Sequence, residues 1–466
     1  MKDVAIVGGG IAGLAAAWRL RHRDLTLLES AARAGGRIRS ERRGEHWLNW
    51  GGHVYAGGDS ATAWLLSDTG VDSVAVPGSL AGLSMNGKLL LRGRVESYPF
   101  RIPMSWESRR AMLTAGLKVR LAVARYARLV GRRPGESEAS RQQRVYDFMN
   151  DRSFADFIGP LPPDAEALFA PTVTRSSAEL DQIAAGAGVG YFSLVWNIGA
   201  GLSQSILGGP STLIETIASA LGPRMQLGAD VREIVQHKDS VAVRYRRDGR
   251  DQEVRARYVV LATPAPTSRR LGVDLDDDVR AALGKIQYGP FVSAAFLTNE
   301  TEPRVWDKAY AVAAPKRSFN VVLNMSNVVH GYSTTRCPGS SIMTFSPGNL
   351  ARRLMERDDD EILQTYQDDL AEVLPGFEGT VAEAEVARWP VGSPYSFPGR
   401  AGLQRPLTRP SGRVFLAGDY LGTSYTDTAV HTGLRAAQEI QSRLATDRVR
   451  AADHPLPVLQ AKGLER

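Results

Sequence analysis

Cysteine is almost absent from this sequence, since Cys337 is the single one among 466 residues. One cysteine cannot form an internal disulfide or a multi-cysteine metal site, and this favours a reducing, cytoplasmic setting. Cys337 stands before Pro338 and Gly339 without an evident neighbouring base, so we expect an inert thiol rather than a nucleophile.

Long apolar runs are absent as well. No stretch of 18 or more apolar residues occurs, so a membrane-spanning helix is not expected. Met1 and Lys2 lead directly into an apolar strand and a glycine cluster, which leaves no room for the hydrophobic region of a signal peptide. These two absences again indicate a cytoplasmic protein.

The sequence also lacks internal repeats, low-complexity segments and any known nucleic-acid module. The net charge is +7, but scattered arginines are typical of a solvated surface, so no nucleic-acid partner is expected. Hydrophobic residues at 43% and charged residues at 23% indicate a folded globular chain. The length favours two domains with insertions and permits burial of a whole cofactor.

What is present is a glycine cluster near the N-terminus, in a strand–helix–strand context. Val4 to Val7 predicts a strand, Ile11 to Leu20 a helix, and Leu25 to Glu29 a second strand. The turn after the first strand reads Gly8-Gly9-Gly10-Ile11-Ala12-Gly13, which matches Gly-x-Gly-x-x-Gly. The pattern predicts a βαβ unit.

Each position of this motif has a physical reason in a dinucleotide site. Gly8 allows the tight turn, Gly10 lets a pyrophosphate approach the helix N-terminus, and Gly13 permits close helix–strand packing. Glu29 ends the second strand, where a carboxylate can accept hydrogen bonds from ribose hydroxyls. The sequence therefore predicts dinucleotide binding; the alternative is a glycine turn used only for packing.

Glycines alone do not separate FAD from NAD, and the following residues decide. Leu28-Glu29-Ser30 and then Gly35-Gly36-Arg37-Ile38 resemble the extended fingerprint of the flavoprotein superfamily that contains amine oxidases, protoporphyrinogen oxidases and phytoene desaturases. The resemblance implies FAD, with Arg37 paired to phosphate. It also implies an α/β fold: a Rossmann-type, glutathione-reductase-like FAD-binding domain with a second α+β substrate domain and a helical insertion.

Further segments carry the same resemblance. Trp50-Gly51-Gly52-His53 resembles the segment beneath the flavin ring, and Val259 to Pro264 the return to the cofactor domain. Val231 resembles the residue whose backbone meets the adenine, although an ordinary strand residue is the alternative. The resemblance implies FAD contacts at Gly8, Gly10, Ile11, Ala12, Gly13, Glu29, Ser30, Gly35, Gly36, Arg37, Gly51, Gly52, His53, Val231, Ala262, Thr263, Gly418, Asp419, Thr428, Ala429 and Val430.

The strongest second anchor lies near the C-terminus. Val414 to Leu416 predicts a strand that runs into Gly418-Asp419, and Thr428 to Leu444 predicts a helix. By resemblance, Asp419 contacts the ribityl chain. The helix amides near Ala429 and Val430 then face the flavin and stabilise the negative charge of its reduced form.

The predicted elements divide the chain into six segments. The FAD-binding domain takes residues 1–56, 206–284 and 396–450, and residues 451–466 form a tail. Residues 57–205 are a helical insertion belonging to the substrate side, with helical patterns at Ser108 to Val130 and Val145 to Ile158. Residues 285–395 are the substrate-binding sheet domain with a helix at Asp359 to Val373, while alternation at 230–236, 240–246 and 253–261 predicts strands of a small sheet.

A flavin supplies the redox chemistry, so few catalytic side chains are needed. Trp389 matches a family segment that brings an aromatic residue toward the ring; the alternative is a core tryptophan. His53 and His431 are candidate proton handlers, because both are near the predicted flavin and histidine titrates close to neutrality. The alternative for each is a structural, hydrogen-bonded histidine.

One departure from the family bears on function. Many amine oxidases carry a lysine in the strand after the inter-domain linker, but Tyr288 to Phe296 contains none. This favours a protoporphyrinogen-oxidase-like enzyme: an FAD-dependent oxidase or desaturase that takes a hydride from a C–C or C–N unit of a small molecule. A flavin-dependent amine oxidase, a non-redox nucleotide-sugar mutase and a non-catalytic flavoprotein stay as alternatives. Oxygen or another electron acceptor is the expected partner, and a homodimer is left open.

Residues 92–144 contain thirteen basic and four acidic residues, interleaved with leucines and valines. A helix of this composition can lie on an anionic membrane, or its cations can face acidic substrate groups. A surface helix with one buried stripe is the alternative. Peripheral membrane contact is therefore a hypothesis at this stage.

Overall fold

The computed structural model describes residues 1–76, 82–93, 95–131, 133–196, 202–329, 337–423 and 425–452. Residues 453–466 of the predicted tail lie outside this range. The strands are β1 (Lys2–Val7), β2 (Leu25–Leu28), β3 (Ser40–Arg43), β4 (His46–Asn49), β5 (Tyr55–Ala56), β6 (Ser73–Ala75), β7 (Gly82–Met85), β8 (Lys88–Leu90), β9 (Leu202–Ile206), β10 (Met225–Gln226), β11 (Asp230–Gln236), β12 (Val241–Arg247), β13 (Arg250–Leu261), β14 (Tyr288–Thr298), β15 (Ala311–Ala313), β16 (Val321–Asn324), β17 (Ser341–Pro347), β18 (Val381–Pro394) and β19 (Val414–Leu416). The α-helices are α1 (Ile11–Arg19), α2 (Ala61–Thr69), α3 (Tyr98–Arg101), α4 (Trp106–Val130), α5 (Glu138–Asp147), α6 (Phe154–Ile158), α7 (Pro163–Thr174), α8 (Ala185–Trp196), α9 (Ser211–Leu221), α10 (Ala265–Leu271), α11 (Asp277–Lys285), α12 (Ser326–Val329), α13 (Gly348–Leu354), α14 (Asp359–Val373), α15 (Gln404–Leu407) and α16 (Tyr425–Ala452).

The first sheet is the dinucleotide-binding layer. Its strand order is β10-β2-β1-β13-β12-β11, and β19 also pairs with β13. The contacts among β10, β2, β1, β13 and β19 are parallel, whereas β11, β12 and the first half of β13 are antiparallel. The three strands predicted at 230–236, 240–246 and 253–261 are present as β11, β12 and β13. They do not form a small sheet of their own, because β13 also pairs with β1 and β19 and so joins them to the first sheet.

Both faces of the first sheet are covered, as parallel strands require. Helices α1, α2, α9 and α16 pack on one side around Leu14, Ile217 and Val430. Helices α10 and α11 pack on the other side around Leu271 and Val279. The α2 residues, which lie within the predicted insertion, therefore contribute to the core of the first sheet.

The second sheet has the order β18-β14-β17-β16-β15-β7-β8. Its side chains alternate between two faces, as the pleat of a strand dictates. Val292 and Ile342 pack against α13 and α14 on one face. Their neighbours Phe291, Ser293 and Met343 instead line a cavity.

A helical lobe made from α4, α6, α7 and α8 packs around Phe154, Phe169 and Phe192. The predicted continuous helix at Val145 to Ile158 is wrong, because the chain forms α5 and α6 with a break between them. At the break, the Ser153 hydroxyl accepts from the Asp156 amide, and the Asp156 carboxylate accepts from the Ser153 amide. This capping box starts a new helix.

Candidate active site

A cavity of about 670 Å³ runs between the two sheets. That volume lies in the range of cofactor and ligand sites. One end meets the glycine turn of β1 and α1. The other end, which we call the aromatic chamber, is lined by Phe291, Tyr310, Phe345, Trp389 and Tyr425.

The glycine turn leaves its backbone open toward the cavity. Gly8 has φ +105°, a left-handed conformation that glycine adopts without strain. A Cβ at Gly13 would overlap the carbonyl oxygen of Gly8, whereas a Cβ at Gly10 would meet nothing within 4 Å. Gly13 therefore serves helix–strand packing and does not line the cavity, while Gly10 leaves space for a ligand at the N-terminus of α1.

Glu29 is held rigidly at the carboxyl end of β2. One carboxylate oxygen accepts from the Gly9 amide at 2.6 Å, and the other accepts from the Ala31 amide at 2.8 Å. Glu29 and Ser30 both line the cavity. A carboxylate fixed in this way keeps lone pairs for ribose hydroxyls, so the residues present fit a dinucleotide.

Arg37 and Asp419 join the two ends of the chain across the cavity wall. The Arg37 guanidinium donates to one carboxylate oxygen of Asp419 at 3.0 Å and to the Gly392 carbonyl at 2.9 Å, and it forms an ion pair with the other Asp419 oxygen at 2.8 Å. Burial opposes the charge, but the pairing with Asp419 outweighs it and raises the pKa of Arg37. Arg37 thus binds a carboxylate of the chain itself, and its pairing with phosphate stays a prediction.

A chain of hydrogen bonds fixes Trp389 at the wall of the chamber. The Trp389 indole N–H donates to the Ser293 hydroxyl at 3.1 Å, and that hydroxyl donates to the Trp50 carbonyl at 2.8 Å. The residue after Trp50 must be glycine, because a Cβ at Gly51 would overlap the Arg37 carbonyl oxygen. Ser293 and Trp389 both line the cavity.

His53 lies in the cavity wall, but it does not titrate near neutrality as the sequence predicts. Burial and, to a smaller extent, the charge of Arg175 lower its pKa to about 4, although a hydrogen bond to the Gly51 carbonyl acts in the opposite direction. The bond to that carbonyl measures 3.0 Å from Nδ1, so Nδ1 carries the proton and Nε2 is an acceptor. His53 is thus a neutral imidazole at physiological pH.

The C-terminal helix starts earlier than predicted. It begins at Tyr425 rather than Thr428, so the amides of Ala429 and Val430 lie inside the helix and the amides without intrahelical partners belong to its first turn. Tyr425, Thr426 and Ala429 line the cavity, whereas Thr428, Val430 and the predicted proton handler His431 do not.

The remaining predicted residues line the same cavity. They are Ile11, Ala12, Gly35, Gly36, Gly52, Val231, Ala262, Thr263 and Gly418.

Sequence reasoning missed Arg175 and Tyr310, which line the chamber. Arg175 follows α7, and Tyr310 precedes β15. Neither residue belongs to a sequence motif. The only signal in the sequence is that Arg175 is an arginine at the end of a helix. Within the described ranges, no helix is long and apolar enough to cross a membrane, and no group of three or more His, Cys, Asp or Glu side chains could hold a metal ion.

The glycine turn, Glu29 and a cavity between two sheets define a dinucleotide-binding oxidoreductase. A family model described as flavin containing amine oxidoreductase matches residues 11–441. The chain therefore belongs to the flavin-containing amine oxidoreductase family. The predicted superfamily, fold class, enzymatic nature and FAD cofactor are confirmed.

Individual relatives share parts of the chain. Bovine peroxisomal N(1)-acetyl-spermine/spermidine oxidase is 54% identical over 57 residues, which cover 10% of this chain and 11% of that protein. Coproporphyrinogen III oxidase of Staphylococcus aureus is 35% identical over 75 residues, which cover 15% and 16%. The matched stretches thus span less than a fifth of these relatives.

The fold is shared along the whole chain with wild-type putrescine oxidase bound to putrescine. That structure has a TM-score of 0.75 at 20% identity, covering 95% of this chain and 99% of its own. The family and these neighbours support the predicted amine oxidase alternative better than the predicted protoporphyrinogen-oxidase-like enzyme. One missing lysine is weaker evidence than a match along the chain.

Proposed function

We propose that the chain is a flavin-dependent amine oxidase that acts on a C–H bond next to an amine nitrogen. The observation that carries the proposal is the continuity of the cavity from the glycine turn to the aromatic chamber. A substrate in the chamber then lies next to the part of the dinucleotide that extends from the glycine turn into the chamber. Bound FAD would accept the hydride, and oxygen or another acceptor would take the electrons onward.

The chain's own residues hold the substrate and exclude water in this proposal. Phe291 and Phe345 are in edge contact with ring centroids 5.7 Å apart, which closes the chamber on the side of the second sheet. Trp389 is held in place by Ser293. Neutral His53 can accept a hydrogen bond from a substrate N–H, which helps to keep the reacting amine oriented.

We assign the cofactor contacts by the same geometry. Gly10 and the N-terminus of α1 would receive the pyrophosphate, Glu29 the ribose, and Val231 the adenine side. Asp419, already bonded to Arg37, would stand beside the ribityl chain. The first turn of α16 would offer amides to the flavin.

A second candidate is a porphyrinogen oxidase. Two observations favour it: β14, which carries Ser293, contains no lysine, and the Staphylococcus aureus relative is named as a coproporphyrinogen III oxidase.

An anaerobic absorbance titration with benzylamine, putrescine and coproporphyrinogen, followed by air, separates the two candidate functions. Bleaching of the flavin by an amine supports the proposal. Bleaching by coproporphyrinogen alone overturns it in favour of the second candidate.

We also propose that α4 contacts an anionic membrane surface. Leu113, Leu117 and Leu121 are four residues apart and exposed, at 46%, 62% and 57%. The exposed residues Arg110 and Arg125 lie on the same helix. An apolar stripe with basic neighbours suits a lipid headgroup layer.

For the domain division we propose the predicted boundaries with one exception, α2, which packs in the core of the first sheet. A homodimer is an open alternative.

A further inference from the structure

Arg175 is a cation in the chamber, and no anion among the described residues pairs with it. It caps α7, lines the cavity and is half-buried. Within the part of the chain that the structure describes, its guanidinium makes no hydrogen bond and no ion pair. A guanidinium has five N–H donors, and leaving them unmatched in a partly closed site is unfavourable.

The carboxylates of the cavity wall are committed elsewhere. The described lining contains Glu29, Asp230 and Asp419. Glu29 binds two backbone amides, Asp419 binds Arg37, and Asp230 lies 2.8 Å from Arg232. The chamber itself therefore carries net positive charge.

Tyr310 adds a second unmatched donor. It is 2% exposed, and its hydroxyl has no hydrogen-bond partner among the residues that the structure describes. Burial raises the pKa of Tyr310, and Arg175 acts against that rise, which places the two groups within electrostatic reach. His53, with its ring centroid 6.3 Å from that of Tyr310, completes this corner.

We propose that Arg175, assisted by the Tyr310 hydroxyl, binds a carboxylate of the substrate. The Arg175 guanidinium and the Tyr310 hydroxyl are two donor groups that lack acceptors among the described residues, and one of them carries an uncompensated positive charge. Together they match a planar carboxylate, which can accept two parallel N–H bonds from a guanidinium. The proposal rests on the proposed function in one respect, namely that the chamber holds the substrate. It narrows the substrate class from amines in general to aminocarboxylates, and it disfavours diamines, whose second cation would meet Arg175.

Two kinds of substrate carry such a carboxylate: an amino acid has an α-carboxylate, and a porphyrinogen has propionates. Binding of benzoate to the oxidised holoenzyme tests the carboxylate site without turnover, because a ligand next to the flavin perturbs its absorbance spectrum. Benzylamine, which has the same ring without a carboxylate, is the matched probe. Benzoate should bind the wild type, and Arg175→Met should weaken it at least about 30-fold.

Further variants keep the test independent of misfolding. Arg175→Lys retains the charge without the fork and should lose less affinity than Arg175→Met, while Tyr310→Phe should weaken benzoate about 3- to 10-fold. FAD content and thermal unfolding report whether each variant is folded. Benzylamine should bind Arg175→Met at least as well as the wild type.

Equal benzoate affinity in wild type and folded Arg175→Met would overturn the proposal, as would a wild type that binds benzylamine but not benzoate. Anaerobic reduction then separates the sources: bleaching by phenylalanine identifies an amino acid, and bleaching by coproporphyrinogen a propionate. If no amine reduces the flavin, the amine oxidase proposal fails while the benzoate result still decides the role of Arg175.

Discussion

At the residue scale, two glycines of one turn have different physical reasons. Gly13 is required because its surroundings are full, since a side chain would overlap the Gly8 carbonyl. The surroundings of Gly10 are open, which leaves room for the pyrophosphate in the proposed cofactor site. The same residue type thus serves the fold at one position and, in the proposal, the cofactor three residues earlier.

This difference predicts opposite outcomes for two alanine variants. Gly13→Ala should destabilise the FAD-free protein by about 1–3 kcal/mol through overpacking. Gly10→Ala is the matched control and should leave the FAD-free protein as stable as the wild type while weakening FAD binding. Urea unfolding of the FAD-free proteins and fluorescence titration with FAD measure the two effects. Unchanged stability of Gly13→Ala would contradict the packing role.

His53 predicts a pH dependence of stability. Its folded pKa of about 4 lies below the ordinary 6.5, so the unfolded chain takes up a proton first as the pH falls. The stability contributed by neutral burial is fully present above pH 6.5 and declines between 6.5 and 4. In that window the wild type should lose up to about 1.4 kcal/mol more per pH unit than His53→Gln.

Urea unfolding at pH 5 and pH 7 with saturating FAD measures this difference. His237→Gln, at an exposed position, is the control and should follow the wild type. Parallel decline of the wild type and His53→Gln would show that His53 is not buried as a neutral group.

What could be predicted at this scale depends on how local the reason is. Gly8 and Gly13 follow from a turn that the adjacent strand and helix define, so the sequence suffices. The role of Arg175 could not be predicted, because it depends on the lack of an ion-pair partner among the described residues. Only the folded chain shows which side chains surround Arg175. The neutral state of His53 has the same origin, since burial is a property of the fold.

At the element scale, glycines also set how closely helices approach. Gly188 on α8 lies against the ring of Phe154 at the start of α6, and a Cβ there would overlap that ring. Gly116 lies within α4, where a Cβ would meet nothing within 4 Å. Both residues are in helices of the lobe that packs beside the chamber.

The helical lobe should therefore respond in opposite directions to the same substitution. Gly188→Ala should destabilise the protein by about 1–3 kcal/mol, because Phe154 must move. Gly116→Ala should stabilise it by about 0.5–1 kcal/mol, because alanine loses less backbone entropy in a helix. Thermal unfolding of the two variants beside the wild type measures both, and a stabilised Gly188→Ala would show that α6 and α8 are not closely packed.

Element boundaries were harder to predict than element types. The helix at Asp359 to Val373 and the strand at Val414 to Leu416 have the predicted bounds. The predicted start of α16 at Thr428 is three residues too late. In the structure the helix already includes Asp427, whose carboxylate accepts from the Thr62 amide and hydroxyl, a distant contact that local pattern does not contain.

At the scale of the whole molecule, the pairing of strands escaped prediction. The hairpin of β7 and β8 lies within the predicted helical insertion, yet it extends the second sheet through the parallel contact of β7 with β15. Alternation of side chains shows that a strand exists but not which strand it meets. The partition of the chain between the two sheets is therefore a property of the fold.

The exposed leucines of α4 predict whether the molecule attaches to a membrane surface. If α4 docks on anionic lipid, vesicles containing phosphatidylserine should sediment the wild type, and Leu117→Ser with Leu121→Ser should reduce the bound fraction several-fold. Leu207→Ser, at an exposed leucine outside α4, is the control and should not change it. Equal sedimentation with and without anionic lipid would exclude the electrostatic part of the contact, and no sedimentation would exclude the contact itself.

The parallel pairing of β19 with β13 has a consequence for biosynthesis. A ribosome releases β13 long before β19, on the order of ten seconds earlier at ordinary elongation rates. During that interval the nascent chain presents the unpaired edge of β13, which is a template for misassociation. The cavity wall is incomplete until α16 has been made, because Tyr425, Thr426 and Ala429 line it. Translation products that end before α16 should therefore bind no FAD and be colourless.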